Sequence, residues 1–186
     1  MNRRVLAEAG GSIERFFGSG VMELKDKLGP VNWQFMPTKK FDPDDFERFL
    51  KLLPKSVEGR PLRHAVEVRH ASFACAEFVA MARAHDVAIV HAADGEHPCI
   101  ADVTAPFVYA RLMGTQEGQP LGYPASGLDR WASRAKAWAS GGAPKDLATL
   151  TPHPPMPEGR DVYIYVIAGH KVRNPAAARA LNERLA

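Results

Sequence analysis

The segment Ala65-Val66-Glu67-Val68-Arg69 places two charged residues inside an apolar run. Its length and branched residues are typical of a buried strand. Side chains two positions apart on a strand leave the same face, so Glu67 and Arg69 share one face and the two valines share the other. A charge is costly to bury unless it is paired. The segment therefore predicts a strand whose apolar face meets helices and whose charged face meets water or an interior pocket.

Strand patterns and helix patterns alternate along the chain. The predicted strands are Val31–Met36, Ala65–Arg69, Val87–His91, Phe107–Leu112 and Asp161–Ile167. The predicted helices are residues 5–28 (broken near Gly10-Gly11, with Ser12 as an N-cap), Asp42–Leu53, Ala74–His85, Leu128–Ala139, and Pro175–Leu185 with Asn174 as its cap. Such alternation, with few hairpin signals, favours a parallel sheet in a single domain over residues 1–186.

In several predicted strands one face is small or branched and the other is polar or aromatic. Both faces of an open, doubly wound sheet contact helices and are apolar. A polar face shared by several parallel strands fits a barrel better, because the lumen collects those side chains and the C-terminal strand ends carry the site. We therefore expect an α/β fold of the barrel type, with its functional residues at those strand ends.

The predicted ligand-binding residues lie on this polar face or near the strand ends, and they are Gln34, Arg69, Tyr109 and Arg111. Arginines from separate strands could converge on one anion, because a guanidinium binds phosphate or carboxylate in a bidentate manner. The alternative for Arg69 is an intrastrand salt bridge with Glu67 that only orders the fold.

Glu67 and His70 are the predicted catalytic residues. A carboxylate beside a guanidinium has a lowered pKa, so Glu67 would act as a base, a metal ligand or a hydroxyl acceptor rather than as an acid. His70 directly follows the charged pair and is the candidate proton carrier, although a loop histidine is often merely exposed.

His91, Asp94 and His97 form a second polar cluster, which we expect at the same strand ends. These ligand types suit zinc or manganese, but their spacing matches no firm motif, and a polar loop is the simpler interpretation. No metal is therefore predicted, and the sequence leaves the cofactor unknown. Cys75 and Cys99 form no metal-type spacing or disulfide framework, which favours a reducing, cytoplasmic location.

Net charge and hydropathy limit the classes of partner that the chain is expected to bind. The formal net charge is +3, which permits a polyanionic partner without requiring one. Basic residues are denser between positions 39 and 70, where acids interrupt them, so a nucleic-acid-binding module without catalysis stays an alternative. No apolar run approaches the ~18 residues of a membrane span, and no signal peptide is recognised.

Four segments carry a resemblance to a known family. They are Leu28-Gly29-Pro30-Val31 with Gln34 and Pro37; Ala65–His70 with Ser72-Phe73; Thr104–Gly114; and Asp161-Val162-Tyr163-Ile164-Tyr165. In this order they resemble the YecE-like family of unknown function over nearly the whole chain. The resemblance implies a TIM-barrel-like fold with no settled activity.

The chain departs from that family at both ends. Family members begin with three further strands, and Ala168-Gly169-His170-Lys171 replaces an Asn-Asn-Asp type segment. We therefore expect a partial (β/α)8 TIM-barrel-like fold of five parallel strands, which would leave bare sheet edges. The chain would then be a truncated and inert barrel, lack a partner segment, or cover its edges by self-association. The competing functions are an enzyme for a phosphorylated or sugar-like substrate, a nucleic-acid-binding module, and an inactive partial barrel.

Overall fold

A computed structural model of the chain describes residues 5–93, 95–152 and 158–186. Helices and strands alternate along it. The α-helices are α1 (Gly10–Phe17), α2 (Pro43–Leu52), α3 (Ala76–Ala84), α4 (Ala125–Ala139) and α5 (Asn174–Leu185). The strands are β1 (Val31–Gln34), β2 (Ser56–Val57), β3 (Arg60–Pro61), β4 (His64–Glu67), β5 (Ala88–Ile89), β6 (His91–Ala93), β7 (Phe107–Leu112) and β8 (Asp161–Val166). Short 3-10 helices occur at Leu6–Glu8, Val21–Lys27, Ala71–Phe73 and Lys171–Arg173.

Parallel strands form two sheets that meet in one extended segment of the chain. β4 lies between β1 and β5, and β7 lies between β6 and β8. All these pairings are parallel. Val90 separates β5 from β6, and its N–H donates to the Val66 carbonyl at 2.9 Å. The predicted strand at 87–91 is therefore two short strands with different neighbours, whereas the predicted mixed α/β fold with parallel strands and helices is confirmed.

The outer face of each sheet packs on helices. Val66 of β4 belongs to an apolar cluster with Phe46 of α2 and Phe78 of α3. Leu112 of β7 belongs to a second cluster with Trp138 of α4. Both clusters lie on the faces that the sequence alternation predicts as apolar. No helix in the described ranges is long and apolar enough to cross a membrane.

The two sheets curve toward their inner face. Arg63, just before β4, donates to Asp161 Oδ2 at 2.6 Å and to the hydroxyl of Tyr163, both on β8. A Cβ added to Gly29 would lie 3.8 Å from Tyr163 Cε1 and from Tyr165 Oη. Because β8 lies in the other sheet from β1 and β4, these contacts require the inner face to be concave.

An antiparallel hairpin interrupts the alternation and is not predicted from the sequence. β2 pairs with β3 through a turn at Glu58 and Gly59. Both turn residues have positive φ values, +50° and +74°. A type I′ turn requires this backbone, and it is usually signalled by Asn-Gly or Asp-Gly. Glu-Gly lacks the short polar side chain that tolerates the left-handed region well.

Neither predicted helix cap forms, whereas an unpredicted one does. Asp42, the first residue of the predicted helix, instead caps α2 by accepting from the Asp45 N–H at 3.1 Å. The predicted cap at Ser12 is wrong, because Ser12 lies inside α1. The predicted cap at Asn174 is also wrong, because its Oδ1 accepts from the Thr115 hydroxyl at 2.7 Å and the helix has no side-chain cap.

Two tight contacts hold the loops to the sheets. The buried Thr104 hydroxyl donates to the Val87 carbonyl at 2.6 Å and accepts from the Ile89 N–H at 3.1 Å. Gly169 has a φ of +55°, and a Cβ there would lie 2.7 Å from three atoms of Thr115. Any side chain at position 169 therefore meets both backbone strain and a steric clash.

His64 is a buried, neutral histidine at the start of β4. Its Nδ1 accepts from Trp33 Nε1 at 3.1 Å, so its proton lies on Nε2, which is 2.8 Å from the Pro54 carbonyl. Burial lowers the pKa of His64 and outweighs the opposing hydrogen bond to Pro54. This histidine therefore serves packing in the neutral form.

Candidate functional site

Glu67, at the C-terminal end of β4, has a fully buried side chain. Its Oε1 accepts from Arg69 Nε at 3.2 Å and from Arg69 Nη2 at 2.9 Å. Its Oε2 accepts from Asn32 Nδ2 at 3.0 Å and from Arg111 Nη1. Donors from three segments that are distant in sequence therefore occupy both carboxylate oxygens.

Strand register explains why these side chains meet. Gln34 of β1 lies opposite Glu67 in the parallel ladder. Arg111 of β7 lies opposite Ala92 of β6, whose methyl group leaves room for a long side chain to pass over that strand. Arg111 Nη1 also donates to Gln34 Oε1 at 2.9 Å. One guanidinium therefore links β7 to β4 and β1.

The Glu67 carboxyl is ionised at neutral pH. Burial raises its pKa, but the hydrogen bonds from Asn32, Arg69 and Arg111, with the charge of Arg111, outweigh burial and lower the pKa below its ordinary value. Taking up a proton would require the carboxylate to give up a guanidinium partner. The arrangement favours a carboxylate that holds two arginines in place.

The ion cluster carries an excess positive charge. One carboxylate faces two guanidiniums, and a guanidinium has five N–H donors. In residues 5–93, 95–152 and 158–186, Nη1 of Arg69 and both Nε and Nη2 of Arg111 have no protein acceptor. The side chains of Arg69 and Arg111 are 22% and 18% exposed. Unused, charged donors therefore reach solvent at this end of the strands.

Two stacked tyrosines border the cluster. Tyr109 lies two positions before Arg111 on β7, and Tyr165 lies opposite Arg111 on β8. Their ring centroids are 4.9 Å apart, with 26° between the ring planes. Burial, with smaller contributions from Tyr165 and Glu67, raises the pKa of Tyr109, and burial also raises the pKa of Tyr165. Both phenols therefore stay protonated at neutral pH.

His70 caps a short helix beside the cluster. Its Nδ1 accepts from the Ser72 N–H at 3.1 Å and lies 2.9 Å from Ser72 Oγ. Over the described part of the chain, none of its hydrogen bonds reaches Glu67 or Arg69. Of the predicted site residues, the structure brings together Gln34, Glu67, Arg69, Tyr109 and Arg111 and leaves His70 outside their contacts.

The expectation that His91 joins these strand ends is wrong. Its ring packs on the outer face, 5.9 Å from the centroid of Trp131 and 5.5 Å from that of Trp138. Register explains this, because His91 pairs with the outward-facing Ala110 rather than with Arg111. Asp94 lies outside the described residues. Within those residues, no group of three or more His, Cys, Asp or Glu side chains is arranged to hold a metal ion.

Most of the basic side chains between positions 39 and 70 have acidic partners. The ion pairs are Lys39–Asp45, Lys51–Glu47, Arg60–Asp26, Arg63–Asp161 and Arg69–Glu67. Local neutralisation weakens a basic surface of the kind that binds a nucleic-acid backbone.

Asn32 and Tyr165 belong to the site but are absent from the predicted site residues. Asn32 lies two positions before Gln34 and therefore shares its face of the strand, so the alternation could have added Asn32 to the predicted site residues. Tyr165 lies opposite Arg111, which only the strand register reveals.

Comparison with known proteins assigns the chain to a family. A family model described as a protein of unknown function, DUF72, matches residues 2–186. The chain belongs to the DUF72 family. This membership agrees with the YecE-like resemblance, which is confirmed. No curated protein matches this DUF72 chain.

Two solved DUF72 structures are similar to the chain in fold. A DUF72 family protein from Enterococcus faecalis has 16% identity and a TM-score of 0.66, with 93% of this chain and 67% of that chain covered. A DUF72 family protein from Thermotoga maritima has 16% identity and a TM-score of 0.64, with 94% of this chain and 64% of that chain covered. The present chain thus spans about two-thirds of the length of these relatives. At this identity the likeness concerns the fold.

Proposed function

We propose that this DUF72 protein binds a small anion with a phosphate or carboxylate group, through Arg69 and Arg111. One observation carries the proposal: two guanidiniums from separate strands converge on one buried carboxylate, which balances only one of their two charges. The remaining N–H donors suit the oxygens of a phosphate or carboxylate.

In this proposal Glu67 is a positioning residue. Its hydrogen bonds fix two flexible side chains before the ligand arrives, and preorganisation reduces the entropy lost on binding. Gln34 restrains Arg111 further through its side-chain oxygen. Catalysis by Glu67 and His70 stays a prediction, because the contacts of this site support anion binding and identify no reaction.

We also propose that the curved sheets form one wall of a TIM-barrel-like fold. The contacts of Arg63 and Gly29 across the inner face support this proposal. In such a barrel the site lies at the C-terminal strand ends, where Arg69 and Arg111 are found. A cytoplasmic location and self-association through sheet edges stay predictions, and light scattering would test self-association.

A titration with inorganic phosphate and with acetate, followed by NMR, tests anion binding. We expect Arg111→Gln to weaken binding about tenfold or more, since a hydrogen bond to a charged group contributes about 1.5–3 kcal/mol. Arg60→Gln is the matched control, because Arg60 forms an exposed ion pair with Asp26. Equal binding by wild type and Arg111→Gln would refute the proposal.

The same variants separate the alternative functions. A nucleic-acid-binding module would bind a single-stranded oligonucleotide at low salt, and Arg60→Gln would weaken that binding as much as Arg111→Gln does. An inactive partial barrel would bind none of the three probes, which are phosphate, acetate and the oligonucleotide.

A further inference from the structure

The stacked pair Tyr109 and Tyr165, called the tyrosine platform below, lies directly beside the proposed anion site. Arg111 is flanked by Tyr109 along its own strand and by Tyr165 across the ladder. Adjacent strands are about 4.8 Å apart, so the Tyr165 backbone is one strand spacing from that of Arg111. An aromatic surface and the guanidinium donors therefore fall within the span of one small ligand.

Packing explains Tyr109 but not Tyr165. Tyr109 is 8% exposed and belongs to the inner-face cluster with Phe107, and Tyr163 packs against that cluster. Tyr165 is 41% exposed and lies outside the cluster. It is stacked on Tyr109 on one side, and β8 is the edge strand of its sheet among the described residues. Stacking on Tyr109 therefore orients the Tyr165 ring, while two-fifths of the residue's surface stays exposed to solvent.

We infer that the anion bound at Arg69 and Arg111 carries a planar ring, and that the ligand class is a free nucleoside monophosphate. Its phosphate contacts the two guanidiniums, and its base stacks on the Tyr165 ring. The inference rests on the proposed function. An inorganic anion or an aliphatic carboxylate would use the arginines and leave the tyrosine platform uncovered.

Three probes dissect the two halves of this site by titration calorimetry and NMR. AMP carries phosphate and base, ribose 5-phosphate lacks the base, and adenosine lacks the phosphate. We expect AMP to bind about tenfold more tightly than ribose 5-phosphate, because stacking of a base on an aromatic side chain gives about 5- to 150-fold in affinity. Ring-current shifts of the Tyr165 protons on addition of AMP would place the base on that ring.

Variants of Tyr165 test whether the ring preference comes from the tyrosine platform. Tyr165→Leu is expected to bring the ratio of AMP affinity to ribose 5-phosphate affinity close to one. Tyr165→Phe should keep the ratio, since stacking needs the ring and not the hydroxyl, and it guards against loss of folding in the leucine variant. Leu150→Ala is the matched control, because Leu150 has a similar exposure of 44%. Its N–H donates to Asp102, which precedes β7, so Leu150 lies near the N-terminal strand ends and away from the proposed site.

The outcomes separate this inference from the proposal on which it rests. Equal affinity for AMP and ribose 5-phosphate overturns the nucleotide inference and leaves anion binding intact. Failure of every phosphate-bearing probe overturns anion binding itself. Adenosine bound as tightly as AMP would overturn the joint site, and a single-stranded oligonucleotide bound tenfold more tightly than AMP would replace the free nucleotide by a nucleic acid strand.

Discussion

Replacing Glu67 by glutamine removes a negative charge from a fully buried position and keeps the size of the side chain. Arg69 and Arg111 then face each other without a counterion, and both side chains are about four-fifths buried. Breaking a buried ion pair by removing one partner costs about 3–5 kcal/mol. The two guanidiniums keep some contact with water, and the amide oxygen still accepts a hydrogen bond. We therefore expect a loss of about 2–3 kcal/mol in the free energy of unfolding, or about 5–10 °C in Tm.

Urea denaturation followed by circular dichroism measures this loss. Asp129→Asn is the control, because Asp129 pairs with Arg184 at 2.6 Å but is 65% exposed. An exposed ion pair contributes about 0–1 kcal/mol, so the control should lose little stability. A Glu67→Gln protein as stable as wild type at pH 7 would refute the role of Glu67 as the carboxylate that holds the arginines.

Anion affinity should change in the opposite direction to stability. The variant raises the net charge of the cluster from +1 to +2, and its amide oxygen still accepts one hydrogen bond and keeps part of the positioning. We expect the added charge to outweigh the lost preorganisation, so phosphate should bind Glu67→Gln severalfold more tightly and partly restore its stability. A general base would show the other pattern, with unchanged phosphate affinity and lost turnover. Phosphate affinity that falls in the variant would contradict the electrostatic reasoning.

Acid should remove the stability difference between wild type and Glu67→Gln. The folded-state pKa of Glu67 lies below its ordinary value of 4.5. Its contribution is therefore fully present above pH 4.5 and is lost as pH falls through the folded-state pKa. The difference between the denaturation midpoints of the two proteins should be constant above pH 4.5 and should narrow as pH falls toward the folded-state pKa.

Three further changes test the fold. Burial lowers the pKa of His64 below 6.5, so wild type should lose stability as pH falls from 6.5 toward the folded-state pKa, at up to ~1.4 kcal/mol per pH unit, and His64→Gln should lose less. Gly169→Ala should lower the free energy of unfolding by about 2–4 kcal/mol through clash and strain, whereas Gly59→Ala, with positive φ but open space around it, should cost about 1–2 kcal/mol. Thr104→Val leaves two buried backbone groups without a partner and should cost about 2–4 kcal/mol in urea denaturation.

The alternation of side chains along a strand predicted the charged inner face of the sheets, because this alternation depends on local geometry alone. The side-chain period of a strand is two, so Glu67, Tyr109 and Arg111 could be assigned to faces before any contact was known. Parallel pairing then brings the C-terminal strand ends to the same edge. The same rule applied to the third strand would have assigned His91 outward with Ile89, whereas closeness to the strand end says nothing about the face.

The pairing of Arg69 with Glu67 could be anticipated from their spacing, but the long-range hydrogen-bond partners could not be predicted from the sequence. Two of the three partners of Glu67, Asn32 and Arg111, lie 35 and 44 positions away and depend on the register between strands. His70 shows the opposite case, because its position directly after the charged pair suggested proton transfer, whereas a local hydrogen bond from the Ser72 N–H occupies its Nδ1.

The switch of partners at Val90 has a consequence for cooperativity. On one side of it β5 pairs with β4, and on the other β6 pairs with β7, so the two sheets share a single covalent strand. The hydrogen bonds from Arg111 to Glu67 and Gln34 connect one of these sheets to the other. A ligand that immobilises Arg111 would therefore strengthen the connection between the two sheets, and we expect amide protection against hydrogen exchange to rise in both sheets at once.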